Sequence, residues 1–224
     1  EGNILTSDDG SNITGYAFFD IDTFAPQITL LSPGNDSWLD YQDIKFSYRP
    51  NDTSLFNCSL WGNWSTIGWH LNETNTTPEN LANNTFGPKT IQEGNYQWAV
   101  ECYDQVDNSA FSDTWFMHID VTLPSINLES PAQGDNVSYG DINFTYTPQD
   151  NLAPVLNCTT IVDGNEVDNS IVQRGSSKGV IYGVYQQGAH NWTVNCSDLA
   201  GNTYVAVENN FTVITGPENL DINI

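Results

Sequence analysis

Apolar and polar residues alternate with period two along most of the chain: Ile44, Phe46 and Tyr48 against Lys45 and Ser47, and Trp192, Val194 and Cys196 against Thr193 and Asn195. That period turns one face to a core and the other to solvent, so these segments read as half-buried strands. No stretch of a dozen residues keeps a helical period. Clusters of Gly, Pro, Asn and Asp break the chain roughly every ten residues, as turns between short strands do.

The strands are written twice. Ile21-Asp22-Thr23-Phe24-Ala25-Pro26 returns as Ile119-Asp120-Val121-Thr122-Leu123-Pro124, and Asp43-Ile44-Lys45-Phe46-Ser47-Tyr48 as Asp141-Ile142-Asn143-Phe144-Thr145-Tyr146. Leu55-Phe56-Asn57-Cys58 is answered by Val155-Leu156-Asn157-Cys158, and Trp98-Ala99-Val100-Glu101-Cys102 by Trp192-Thr193-Val194-Asn195-Cys196. Four motifs in one order make an internal repeat. Two units of about 100 residues, each made of short alternating strands, predict an all-β chain of two antiparallel β-sandwiches. The boundaries are an N-terminal extension at 1–22, domains at 23–121 and 122–215, and a C-terminal linker or strand at 216–224. Residues 61–95 and 163–190, where the copies differ in length, read as a variable loop.

Pro26-Gln27-Ile28-Thr29-Leu30-Leu31-Ser32-Pro33, the segment from Trp98 to Asp104, and Asp198-Leu199-Ala200-Gly201-Asn202 together resemble the immunoglobulin-like repeats of prokaryotic, especially archaeal, surface proteins. The resemblance runs from about residue 23 to about residue 215. It implies two tandem immunoglobulin-like sandwiches at the cell surface, in a filament, a surface layer or an adhesin, and says little about activity. One departure from the antibody pattern is that Trp98 and Trp192 stand four residues before the second cysteine, on the sixth strand rather than the third.

The four cysteines divide between the copies as Cys58 with Cys102 and Cys158 with Cys196. Two internal disulfides are the simplest reading, ahead of free thiols or metal ligation. By alternation Cys58 shares a face with Phe56 and Leu60, and Cys102 with Trp98 and Val100, so each bridge should link neighbouring strands of one sheet. Disulfides imply an oxidising, extracellular compartment. The longest apolar runs are far short of the roughly 20 residues that cross a bilayer.

Sequons for N-glycans occur at Asn12, Asn35, Asn51, Asn57, Asn63, Asn72, Asn75, Asn83, Asn136, Asn143, Asn157, Asn191, Asn195 and Asn210. Those on strands fall on the outward phase, where a glycan leaves the core intact. Outward polar positions without glycans would show the same phase.

The ends add a further element. Ser11 to Asp22 parallels Ser109 to Asp120, the closing strand of the first copy, so the chain opens with an orphan last strand containing Tyr16, Ala17, Phe18, Phe19 and Ile21. Exposed aromatic area and unpaired backbone call for a cover. Flanking repeats, β-augmentation between copies of the chain, or folding back on the first domain would each supply one. Glu1 follows no charged-then-apolar leader, so the sequence reads as a processed chain or an excerpt of a longer one.

Charge narrows the partners. With 28 acidic and 5 basic residues among 224, the net charge is −23, and only 15% of residues are charged at all. Five scattered cations make no nucleic-acid surface, and the natural electrostatic partners are cations. Asp104, Asp107 and Asn108, with Asp198 and Asn202, recur at one turn of both copies. They read first as turn formers, and as calcium ligands if three or more oxygens converge. Trp61, Trp64 and Trp69, with Trp38, suggest either packing or a glycan-binding face. No catalytic constellation surrounds His70, His118 or His190, so no enzyme and no cofactor are expected beyond calcium and covalent glycans.

Overall fold

The structure, a computed structural model, describes residues 22–184 and 186–215. The first half holds β1 (Gln27–Ser32), β2 (Ser37–Leu39), β3 (Asp43–Asn51), β4 (Leu55–Ser65), β5 (Gly68–Asn75), β6 (Asn84–Thr90), β7 (Gly94–Asp104), β8 (Ser109–Phe111) and β9 (Trp115–Ile119). The second holds β10 (Ser125–Ser130), β11 (Asn136–Ser138), β12 (Gly140–Gln149), β13 (Val155–Val162), β14 (Asn165–Gln173), β15 (Lys178–Val184), β16 (Gly188–Ser197), β17 (Thr203–Val205) and β18 (Asn209–Ile214).

Each half is a sandwich of the same design. A small sheet, β1-β3-β6 or β10-β12-β15, faces a larger one, β2-β9-β7-β4-β5 or β11-β18-β16-β13-β14, with β8 and β17 attached to β7 and β16. All pairings are antiparallel except β2 with β9 and β11 with β18. Pro33 and Pro131, which lack the donor a ladder needs, stand where the chain leaves the small sheet and crosses to the large one.

The alternation read from the sequence builds the cores. Ile44, Phe46 and Tyr48 are buried against Leu60, Trp98, Val100 and Met117; their counterparts Ile142, Phe144 and Tyr146 are buried with Leu156, Trp192, Val194 and Phe211. Trp98 meets Phe46 edge-on with ring centroids 5.1 Å apart, and Trp192 meets Phe144 likewise at 5.3 Å. Cys58 lies opposite Cys102 on β4 and β7, and Cys158 opposite Cys196 on β13 and β16. Both pairs form disulfides between neighbouring strands of one sheet.

Two expectations are corrected. Residues 61–95 and 163–190 are largely strand rather than loop: β4 and β5 form a hairpin, β13 and β14 form another, and β6 and β15 cross to the small sheet. The second hairpin turns on Asp163-Gly164, with φ of 50° and 76°, the left-handed pair that a two-residue turn requires. The copies differ in strand length, and unequal length reads as loop when only motifs are matched. Phe56, expected to point inward beside Cys58, is 56% exposed, because the β4–β7 register slips between Leu55 and Asn57. A one-residue slip sends a side chain to the opposite face.

Candidate functional site

At one pole of each sandwich three carboxylates from separate segments converge. Asp120 follows β9 and leads into the second domain, Asp150 follows β12, and Asp198 follows β16; one oxygen from each lies within 4.8 Å of the others. Asp22, Asp52 and Asp104 make the same arrangement at the leading pole of the first domain.

The turn after the sixth strand shapes both clusters. Asp198 Oδ1 accepts the amides of Gly201 (2.7 Å) and Asn202 (2.9 Å), and its Oδ2 accepts Asn202 Nδ2 at 2.7 Å. Asn202 Nδ2 also donates to the Asp120 carbonyl at 2.8 Å, fixing the linker over the turn. In the first domain Asp104 Oδ1 accepts the amides of Val106 (2.9 Å) and Asn108 (2.8 Å), and Asn108 Nδ2 donates to Asp104 Oδ2 (2.7 Å) and to the Asp22 carbonyl (3.2 Å). Burial pushes the Asp104 carboxyl up, but the bonds from Asn108 and these amides outweigh it and hold it below its ordinary value.

Of the turn residues expected to hold a cation, Asp104 and Asp198 therefore stand in a cluster. Asn108 and Asn202 instead point their side-chain nitrogens at the carboxylates and act as clamps. Asp107 stands apart, at a turn position with φ of 67°. Turn chemistry alone does not point to Asp22, Asp52, Asp120 or Asp150, although Ile21-Asp22 and Ile119-Asp120 open the aligned repeat and an acid follows the second motif in both copies.

The second cluster sits at the junction between the sandwiches. The Asp120 amide donates to the Leu39 carbonyl of the first domain at 2.9 Å. Glu93, also from the first domain, accepts Thr122 Oγ1 at 3.0 Å and the Val121 amide at 3.3 Å. Burial raises the Glu93 carboxyl, but hydrogen bonds from Asn151, Asp120, Thr122 and Val121 bring it below its usual value. Asp120 is 0% exposed; its carboxyl pairs with that of Glu93 and accepts the Thr122 amide on Oδ1, while no amide, hydroxyl or basic group donates to its Oδ2. Burial first, then the neighbouring Glu93, Asp150 and Asp198, push its carboxyl up to about 7 against one lowering bond from the Thr122 amide.

The other predicted residues are spread over the surface. Asn12 and the strand residues Tyr16, Ala17, Phe18, Phe19 and Ile21 lie outside the described residues. Asn35, Asn51, Asn83, Asn136, Asn143, Asn157 and Asn210 are exposed; Asn57, Asn63, Asn72, Asn75, Asn191 and Asn195 are half-buried. The Asn75 amide bonds the Tyr48 hydroxyl at 3.1 Å, so a glycan there would displace a tie into the core. The tryptophans do not form one face. Trp64 stacks on Phe46 in the core at 5.0 Å, and Trp38 stacks on His118 at 4.4 Å. Trp61 and Leu71 are paired across β4 and β5, beside Phe111 and the exposed Trp69.

No protein-family model matches the sequence, and no curated protein sequence is significantly similar to it. Among solved structures the chain is similar to a marsupial T cell receptor, at 9% identity and a TM-score of 0.51 over 85% of this chain and 74% of that one. It is also similar to the fibronectin(III)-like modules of CbhA from Clostridium thermocellum, at 17% identity and a TM-score of 0.47 over 87% and 97%. A bacterial ice-binding adhesin is similar at 13% identity and a TM-score of 0.42 over 87% and 67%. The likeness to the receptor is one of fold alone, tandem sandwiches of the immunoglobulin type.

Proposed function

We propose that this chain is a non-enzymatic structural segment of an extracellular surface assembly of archaeal type, a filament or surface layer built from sandwiches joined end to end. In this reading the strand from Tyr16 to Ile21 takes the closing position in the sheet of a neighbouring copy of the chain. Glycans on the exposed sequons cover the outer faces, and the disulfides resist unfolding.

The observation that carries the reading is the equivalence of Asp22 and Asp120. Asp120 follows the closing strand β9 and enters the carboxylate cluster of the next sandwich; Asp22 enters the matching cluster of the first sandwich. The segment before Asp22 has the sequence of a closing strand, so the spacing from strand to cluster repeats at both leading poles. A junction repeated at one spacing extends linearly, because a head-to-tail contact has no built-in closure.

The test compares the full chain with a form lacking residues 1–21, by light scattering and negative-stain electron microscopy. The reading expects oligomers or fibres from the full chain and monomers from the shortened one. A monomeric full chain, unchanged by the deletion, would contradict it.

The outward group of Trp61, Trp69, Leu71 and Phe111 favours a second reading, an adhesin module stacking sugars on that face. Trp69 is 40% exposed while Trp64 is half-buried against the core, so the informative variant is Trp69→Ala. Loss of binding on a glycan array supports this reading, and a blank array for the parent chain removes it.

A further inference from the structure

We infer that Asp120, Asp150 and Asp198 form a binding seat for a hard divalent cation of the calcium class at the junction of the two sandwiches. Calcium takes oxygen ligands at about 2.3–2.6 Å, which puts opposed ligands roughly 5 Å apart. One oxygen from each of the three aspartates already lies within 4.8 Å of the others, so a single ion would reach all three with little movement of the chain. The donor set is entirely carboxylate, without His or Cys, which fits a hard cation rather than zinc or copper.

Convergence of acids alone would not make a site; the state of Asp120 does. Its side chain is fully buried and Oδ2 finds no donor, while Asp150 Oδ2 is also buried without one. Buried carboxylate oxygens are ordinarily satisfied by donors or by a metal. No basic side chain neutralises them: among the described residues the ion pairs are Lys89 with Glu73, Lys178 with Asp168, His118 with Asp36 and His190 with Asp163. Arg174 comes near but bonds the Asn151 carbonyl at 2.8 Å. Asn202 holds Asp198 through Oδ2 at 2.7 Å, and the Asp150 side chain is itself oriented by the amides of Leu152 and Ala153 on Oδ1.

The location gives the ion a mechanical consequence. Asp120 belongs to the linker and its amide is held by the first domain, whereas Asp150 and Asp198 belong to the second. An ion shared by the three ties the linker to the second sandwich and limits swivelling at the joint. This inference stands independently of strand exchange between copies, since binding is read on the single chain.

Isothermal titration of calcium chloride into the EDTA-stripped full chain tests it, at neutral pH and physiological salt. The variants are Asp150→Asn, which keeps an Oδ1 acceptor for the loop amides, and Asp120→Asn as a second reading of the same seat should the first fail to fold. Asp113→Asn, an exposed acid that belongs to neither cluster, controls for general attraction to a negative chain. The seat predicts saturable binding, a binding step weakened more than about tenfold in the Asp150 or Asp120 variant, and no change in the Asp113 variant. Absence of binding by the parent chain would overturn it. So would undiminished binding in the folded cluster variants, or an equal loss in the Asp113 control.

Discussion

The leading poles of the two domains have the same three aspartates but satisfy them differently. In the first, Ser54 Oγ donates to Asp22 Oδ2 at 2.8 Å and to Asp52 Oδ1 at 3.2 Å, bridging two members of the cluster. In the second the corresponding loop reads Leu152-Ala153-Pro154, which has no hydroxyl, and Asp120 Oδ2 remains buried without a donor. One hydroxyl separates a cluster partly satisfied by the protein from one that depends on a proton or a cation. The second pole, which is also the joint between domains, should therefore respond more strongly to calcium and to pH.

The largest expected effect tests whether the two sandwiches are otherwise equivalent. The disulfides close segments separated by 44 and 38 residues, so replacing either pair with alanines should lower the stability of its domain by about 4 kcal/mol. Denaturant unfolding of the two double variants checks this, and markedly unequal losses would show that the copies differ in more than their poles.

A smaller difference separates the core tryptophans. Trp192 Nε1 donates to the Pro131 carbonyl at 2.9 Å, whereas the buried Trp98 Nε1 has no partner. Trp192→Phe should therefore cost about 1 kcal/mol more than Trp98→Phe, measured by thermal or chemical unfolding. Equal costs would contradict the assigned bond.

The remaining effect is pH-dependent and belongs to the second pole. Asp120 has its carboxyl raised in the folded chain to about 7, from an ordinary 3.8. The folded state then holds a proton that the unfolded state has released, so this group's contribution is full below the unfolded value and is lost as pH rises through about 4 to about 7. In EDTA the second domain should melt at a lower temperature at the top of that window. Calcium should reverse the fall, and Asp120→Asn should flatten the slope. A second-domain melting temperature that rises through this window in EDTA would contradict the environment described for Asp120.

The sequence made the repeat, the strands, the disulfides and the core tryptophans legible, because each rests on period-two alternation around a recognisable side chain. Cys58, Cys102, Trp98 and their counterparts carry that signal locally. Phe56 escaped it because a register slip depends on the partner strand, and residues 61–95 escaped it because strand length varies between copies. The carboxylate clusters were half legible. Asp104 and Asp198 stand at a recognisable turn, but Asp52 and Asp150 join them only once the β3–β4 and β12–β13 loops bring them to the pole. The turn motif also does not reveal which way the Asn108 and Asn202 side chains point; their amides donate to the carboxylates.

A crystal structure of the full chain is the most direct test of the end-to-end account. The account predicts that residues Tyr16 to Ile21 lie as the closing strand in the sheet of a neighbouring copy, leading into Asp22 as β9 leads into Asp120. The same residues laid along an edge of their own first sandwich, with no neighbouring copy in contact, would contradict it.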